Sequence, residues 1–362
     1  MNTIHEYVKQ YGRFTFQESP FNEVDNAVFS SLAYLDFSDC IDGEEEITIR
    51  FLARRYFKKN NIQKIRKNPH SIRQMIETFF LCSTVRRYQD IIVHHFRHII
   101  NETTQFQALC FTISKGTMFV AFEGTDDSMV GWHEDFDMMH TFPIPSQKLA
   151  MEYLNQVITR KYHRVYVGGH SKGGNLAMTA CMYLPFWKQH KVKQIYNNDG
   201  PGFRKEEYES KEFKRIEKKL HVIIPESSVV GLLFYHKKDF QVVKSLGRGI
   251  YQHDLSNWLC YGAYFTPGTL TDEAKSQARR FSICFQKYSY AKKKEFVNIL
   301  FSLFKECNMT VFSEVTNPKI SKLIRLIHAS RKLDKESKEL LIDMFSIVLN
   351  NKVASKNETI AS

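Results

Sequence analysis

A short segment near the middle of the chain carries the residues most suited to chemistry. Residues 169–173 have the sequence Gly-His-Ser-Lys-Gly, between a strand-like run at 164–167 and a helix-forming run at 174–180. A serine between two glycines at a strand-to-helix turn is typical of a nucleophile elbow, where neighbouring backbone leaves no room for a Cβ. The pattern predicts Ser171 as a nucleophile and the backbone N–H of Lys172 as an oxyanion donor. An ordinary serine in a glycine-rich turn is the alternative.

A serine hydroxyl needs a base to take its proton, and the base needs a carboxylate to orient it. Where the nucleophile stands at such an elbow, the acid and then the histidine follow it along the chain. Asp199 lies directly after a strand-like run, where strand ends face a ligand crevice. His253 is the only histidine between the last such run and the helical C-terminal region. We therefore predict a triad of Ser171, Asp199 and His253.

Other roles are open to these side chains. Asp199 precedes Gly-Pro-Gly and could shape a turn by bonding its own backbone. Glu226, after the next strand-like run, is the rival acid, and His253 could be an ordinary loop histidine. His94 and His98 are spaced as ligands on one face of a helix, but no carboxylate or cysteine accompanies them, so no metal site is predicted.

The loop after the strand-like run at 118–122 predicts the second oxyanion donor. It begins Glu-Gly-Thr and would place the backbone N–H of Thr125 opposite that of Lys172. Glu134 and Asp135, further along the same loop, are predicted to hold it in place, with a calcium site as the alternative.

The elements around these residues alternate. Between residues 106 and 253, six short runs rich in Val, Ile, Phe or Tyr alternate with helical segments, which is typical of a mostly parallel sheet covered by helices. The clearest helical segment follows Pro145 and has an apolar stripe from Leu149 to Ile158. The six runs lie at residues 108–113, 118–122, 164–167, 194–196, 220–224 and 240–243.

Helical spacing of apolar residues dominates on both sides of this region. We predict a helical leader over residues 1–104 that could act as a cap or lid, and an α/β catalytic core over 105–268. C-terminal helices are predicted over 269–350 and a disordered tail over 351–362.

Composition excludes several classes of protein. The 362 residues are 43% hydrophobic and 14% aromatic, which argues against a disordered chain. The N-terminus has no secretory pattern, and no apolar run approaches the roughly 18 residues of a membrane span. Seven cysteines occur singly, without the spacing of a disulfide framework, and predict reduced thiols in a cytoplasmic protein.

The net charge of +12 is unevenly spread. One basic run contains no acid and could contact an anionic membrane, although a solvated face is the commoner outcome. Nucleic acid is the minor alternative, because no binding module accompanies the run. The residues of this basic run are Arg54, Arg55, Lys58, Lys59, Lys64, Arg66 and Lys67.

These motifs carry a family resemblance. Residues 121–125 (Ala-Phe-Glu-Gly-Thr) and the elbow sequence 169–177 resemble class 3 (fungal-type) lipases. They resemble more closely an uncharacterised bacterial lipase-like family with the same Asn-Asp-Gly-Pro-Gly-Phe and Gln-His-Asp segments. The resemblance spans residues 24–260 and implies an α/β-hydrolase fold acting on lipid esters. Class 3 lipases have Arg where Glu123 stands, and their acid follows the next strand, where this chain has Glu226 and no Asp.

Together these features predict a serine acyl hydrolase that cleaves lipid carboxylic esters, as a lipase or phospholipase A does, through an acyl-enzyme and without a cofactor. An esterase or thioesterase for small acyl substrates needs the same groups. A binding protein that keeps the hydrolase fold with a vestigial site is the other alternative. No oligomeric state is predicted.

Overall fold

The computed structural model describes residues 2–42, 44–316 and 318–349. The chain forms two compact units. The first contains the described residues up to Ile99, Phe106–Gly124 and Gln147–Thr271, and the second contains Ile100–Gln105, Thr125–Ser146 and the described residues from Asp272 onward. The predicted boundaries differ from these, because most of the segment expected to form a separate leader belongs to the same unit as the sheet.

An eight-stranded sheet lies in the first unit, with its strands in chain order. β3 and β4 are antiparallel, and β4 to β8 run parallel to one another. The six sequence-predicted runs correspond to β3 to β8, with Phe240 lying one residue before β8, so this part of the prediction is confirmed. The strands are β1 Ile47–Thr48, β2 Ile92–Ile100, β3 Gln105–Ser114, β4 Thr117–Phe122, β5 Arg164–His170, β6 Val192–Asn198, β7 Leu220–Pro225 and β8 Gln241–Val243, and a separate hairpin pairs β9 Cys260–Tyr261 with β10 Tyr264–Phe265.

Helices alternate with the parallel strands, as a parallel sheet requires. This architecture, with a strained serine between β5 and the helix that follows it, is the α/β-hydrolase fold that the sequence predicts. The helices are α1 Ile4–Tyr11, α2 Glu23–Leu32, α3 Ile49–Lys59, α4 Ile62–Arg66, α5 His70–Thr84, α6 Met129–Asp137, α7 Pro145–Val157, α8 Lys172–Met182, α9 Phe186–Gln189, α10 Lys205–Tyr208, α11 Lys211–Ile216, α12 Asp272–Lys287, α13 Tyr290–Glu306, α14 Ser313–Thr316, α15 Ile320–Lys332 and α16 Lys335–Leu349.

The N-terminal segment is built into the first unit. Phe29 on α2 stacks on Phe111 of β3 at 4.5 Å between ring centroids, and both rings are buried. Asp25, also on α2, binds the fully buried guanidinium of Arg87, with 2.8 Å between Arg87 Nε and Asp25 Oδ1. Removing these two charges from water costs free energy, and their mutual attraction offsets that cost. The segment therefore packs as part of the core.

One predicted element is wrong. The segment around His94 and His98 has helical spacing in the sequence, but it forms strand β2, which pairs with β1 and is β3's neighbour in the sheet. Its β-branched residues suit an extended chain, and sheet pairing outweighs the local pattern. His94 lies within hydrogen-bonding distance of Thr112 and Tyr162. Among the described residues, no group of three or more His, Cys, Asp or Glu could hold a metal ion.

The second unit is helical over most of its described residues and contains α6 and α12 to α16. Trp132 of α6 stacks on Phe312 with 3.7 Å between ring centroids, and His133 stacks on Phe301 of α13 at 4.4 Å. The C-terminal helices predicted over 269–350 correspond to α12 to α16, and the predicted tail at 351–362 lies outside the described residues. No helix among those described is both long and apolar enough to cross a bilayer.

Candidate active site

Ser171 occupies a sharp turn between β5 and α8. Its backbone has φ 57° and ψ −131°, which a residue with a side chain rarely adopts. A Cβ on Gly169 would lie 2.4 Å from the carbonyl of Gly173, and one on Gly173 would lie 2.2 Å from the carbonyl oxygen of Phe122. Both glycines are therefore required by close backbone approach. This is the geometry of the predicted elbow.

Neighbouring elements hold this turn in place. The Ser171 N–H donates to the carbonyl of Asn198 at the end of β6, at 3.0 Å. The Asn198 side chain donates to the carbonyl of Gly169 at 3.0 Å and exchanges two hydrogen bonds with Asn26 on α2, at 2.8 and 3.1 Å. Because both amides are buried, these bonds satisfy groups that water cannot reach. The elbow is thus anchored to the sheet and to the N-terminal segment.

Asp199 follows β6 directly and is fully buried. Its φ of 50° is unusual for a residue with a side chain. Oδ1 accepts hydrogen bonds from the Ser228 hydroxyl and from the Gly231 N–H, the latter at 3.1 Å. Oδ2 lies 2.7 Å from Nδ1 of His253. One carboxylate oxygen is thus fixed by two donors from the loop after β7, and the other meets the imidazole.

His253 ends a short 3-10 helix, Gly249–His253, and its side chain is a quarter exposed. Because Nδ1 faces Asp199, Nε2 is the ring nitrogen that can take a proton from a substrate-facing group. The His253 ring lies 4.4 Å, centroid to centroid, from the ring of His170, the residue before Ser171. Asp199 and His253 therefore meet beside the elbow.

His170 contacts the main chain of His253. Its Nε2 lies 2.6 Å from the carbonyl oxygen of His253, and its Nδ1 lies 2.7 Å from the hydroxyl of Tyr34. Burial, with the nearby His253 as a lesser cause, holds the pKa of His170 well below its usual value, so the ring is neutral near pH 7. Since a carbonyl only accepts, Nε2 carries the proton and Nδ1 accepts from Tyr34.

Glu226, the rival acid, has a different hydrogen-bond partner. Its Oε1 accepts a hydrogen bond from the backbone N–H of Thr269 at 3.3 Å, and its backbone pairs with Val243 and Thr271. The Glu226 carboxylate therefore forms a hydrogen bond with the segment that follows β10.

The predicted oxyanion donors fall in different units. Lys172 begins α8 in the first unit and is buried. Thr125 belongs to the second unit, and its hydroxyl donates to Asp135 Oδ2 at 2.5 Å. In the same unit, Glu134 accepts from the backbone N–H groups of Gln105 and Ser146, at 3.0 and 2.8 Å. Asp135 thus holds Thr125 in the loop after β4 as predicted, whereas Glu134 binds backbone groups outside that loop. The donor role of Thr125 stays a prediction.

The predicted basic run lies on α3, α4 and the residue after α4. Arg55 makes a two-point ion pair with Glu45, at 2.8 Å on each side, and Lys59 donates to the carbonyl of Asp39. Part of the run is therefore used in local contacts, and its membrane role stays a prediction.

Three supporting residues were not predicted from the sequence: Asn26, Tyr34 and Ser228. Tyr34 and Asn26 lie 136 and 172 residues before their partners, and nothing in the local pattern marks them. Ser228 could have been found, because it follows β7, the position at which class 3 lipases carry their acid. It supports the carboxylate from there, while Asp199 supplies the carboxylate itself.

Comparisons with known proteins give one family. The Mbeg1-like family model matches residues 82–302, more than half of the chain. A solved structure described as the crystal structure of M37 lipase is similar at 12% identity and a TM-score of 0.35, over 57% of this chain and 68% of that chain. No curated protein matches the sequence.

Proposed function

The chain belongs to the Mbeg1-like family and has an α/β-hydrolase fold, and from this we propose that it is a serine acyl hydrolase with Ser171, Asp199 and His253 as its triad. The observation that carries the proposal is the 2.7 Å contact between His253 Nδ1 and the buried Asp199, beside a serine held at positive φ. A turn-shaping Asp would not need an imidazole partner, and an ordinary loop histidine would not need a buried carboxylate.

The proposed reaction follows from the position of each group. His253 Nε2 takes the proton from the Ser171 hydroxyl while the serine oxygen attacks the ester carbonyl. The tetrahedral intermediate collapses to an acyl-serine as the alcohol leaves with the proton from His253. Water, deprotonated by the same imidazole, then releases the acid and restores Ser171. Asp199 stabilises the imidazolium and fixes its orientation throughout.

The negative oxygen of each intermediate needs donors that are already in place. The N–H of Lys172 lies at the start of α8, where the helix dipole favours negative charge. The N–H of Thr125 remains the proposed second donor. A lipid ester is the proposed substrate class, supported by the lipase-like sequences around residues 121–125 and 169–177.

Replacing Ser171 by Ala tests the chemistry. We expect hydrolysis of p-nitrophenyl butyrate to fall by about 10⁴-fold or more, with an unchanged circular dichroism spectrum. A fluorophosphonate probe should label the wild type and miss S171A. The matched control is Ser302→Ala on α13, remote in sequence from the triad, which should keep full activity and labelling.

Two results would end the proposal. A folded wild type that neither hydrolyses esters nor reacts with the probe would indicate the non-catalytic binding protein. Equal activity in S171A would mean that another residue is the nucleophile. A series of acyl chains then separates the substrate classes, because a lipase should prefer long chains in dispersed lipid, and a small-substrate esterase or thioesterase should prefer short soluble ones.

A further inference from the structure

Helix α15 in the second unit has an exposed apolar face. Ile320, Leu323, Ile324 and Ile327 are spaced by three and four residues and so lie on one side of the helix. Their exposed fractions are 79%, 44%, 50% and 44%. The other side of α15 contains the buried Ala329. Exposing four neighbouring aliphatic side chains to water is unfavourable, so this face suits a binding surface.

Positive charge surrounds this apolar face. No Asp or Glu occurs between Glu314 and Asp334 in the sequence. Arg331 lies one helical turn beyond Ile327 and continues the exposed face. The basic residues of this stretch are Lys319, Lys322, Arg325, Arg331 and Lys332.

Two of these five cations are already paired within the second unit. Lys322 binds Glu314 and Lys332 binds Glu306, each at 2.5 Å. Across the described part of the chain, no ion pair holds the remaining three, Lys319, Arg325 and Arg331, and all three are exposed. Helix α15 therefore carries, besides its apolar face, three cations that can meet external anions.

We propose that α15 binds to the surface of an anionic lipid bilayer. A helix with an apolar stripe and a basic remainder lies in the plane of the interface, with its apolar side chains below the headgroups. Lys319, Arg325 and Arg331 would then meet the lipid phosphates, and such contacts strengthen binding for each basic residue. This partner goes beyond the proposed hydrolase chemistry and does not depend on Ser171.

Charge favours a bilayer over a second copy of the chain. Two copies packed through the same face would bury Arg331, which lies on that face, with no anionic partner from either copy of α15, and this weakens association. Anionic headgroups supply that partner. The basic run on α3 and α4 is a poorer fit, because Arg55 and Lys59 are held by local contacts. The exposed large apolar residues of these two helices, Phe51 and Ile62, lie on different helices and form no stripe.

Co-sedimentation of the full chain with large vesicles tests the proposal. The wild type should bind vesicles of phosphatidylcholine with phosphatidylglycerol, should bind phosphatidylcholine alone weakly, and should lose binding as salt rises. Ile324→Asp and the double variant R325E/R331E should each lower the partition coefficient by about tenfold or more. The matched controls, Ile62→Asp and R54E/K58E in the first unit, should bind as the wild type does.

Specific results would overturn the proposal. Equal binding by the α15 variants, or loss only in the two controls, would place any membrane contact elsewhere. A wild-type dimer in light scattering that Ile324→Asp converts to monomer would identify a second copy as the partner. A large fall in Tm for Ile324→Asp would mean that the chain itself covers this face. R325E/R331E changes only exposed side chains and keeps the test decisive if Ile324→Asp does not fold.

Discussion

Asp199 is the residue on which the proposed chemistry depends most. Its two carboxylate oxygens have separate tasks, because Oδ1 is held by Ser228 and Gly231 while Oδ2 faces His253. A carboxylate fixed in this way selects one tautomer of the imidazole and keeps its Nε2 ready to accept a proton.

Asp199→Asn should lower kcat for p-nitrophenyl butyrate by about 10⁴-fold, because the amide permits the wrong histidine tautomer. Glu226→Gln is the matched control and should change kcat little, since the Glu226 carboxylate bonds to the backbone N–H of Thr269. The reverse ranking of the two variants in initial-rate measurements would make Glu226 the acid.

Tyr34 is a positioning residue that acts through His170 on the main chain of His253. Tyr34→Phe removes the hydroxyl that His170 Nδ1 accepts from, which leaves a buried nitrogen unsatisfied. We expect a loss of about 1–2 kcal/mol in unfolding free energy and a fall in kcat with little change in KM. Urea unfolding and initial rates measure the two effects. An unchanged kcat would mean that the contact serves stability alone.

His94 predicts a dependence of stability on pH. Burial, together with its neighbour His95, lowers the pKa of His94 from 6.5 to about 4. The unfolded chain therefore takes up this proton first, so the contribution is present above about pH 6.5 and is lost as pH falls toward 4. The loss should reach about 3 kcal/mol. In His94→Gln, the free energy of unfolding measured in urea should depend less on pH between these values. His328→Gln, at an exposed position, should show the same pH dependence as the wild type.

At the scale of elements, local pattern predicted the parallel sheet well and the N-terminal segment poorly. Strands β4 to β8 are short segments that contain β-branched or aromatic residues, and helical segments separate most of them along the chain, so the local hydrophobic pattern identifies them. Strand β2 was missed because its polar residues, His94 and His98 among them, interrupt the apolar alternation and only sheet pairing fixes it. The support given to the elbow by α2 depends on contacts between distant residues, which no local pattern records.

The buried pair between Asp25 on α2 and Arg87 after α5 gives a test at this scale. Asp25→Asn leaves a guanidinium buried beside a neutral group and should cost about 3–5 kcal/mol. Glu18→Gln is the matched control, because Glu18 pairs with Arg86 on the solvent-exposed surface and its replacement should change stability far less. Chemical unfolding of both variants measures the difference, and equal costs would contradict the structural role given to Asp25.

At the scale of the whole molecule, all seven cysteines are free and buried. Burial raises the pKa of Cys110 to about 12 and holds that of Cys82 well above its usual value, so neither is a thiolate at neutral pH. Ellman's reagent should react slowly with the native protein and quickly with seven thiols per chain in urea. Rapid titration of all seven under native conditions would contradict the packing.

The N-terminal segment contributes contacts that support the elbow, and this has a practical consequence for truncated forms of the chain. The family model begins at residue 82, after Asn26 and Tyr34. A truncated polypeptide that starts at residue 82 would lack the side chains that bond to the Asn198 amide, the His170 imidazole and the Arg87 guanidinium. These three buried groups would be left without those partners. Such a fragment should be insoluble when expressed, so a minimal version of this protein must retain its first 81 residues even though they lie outside the region that the family model matches.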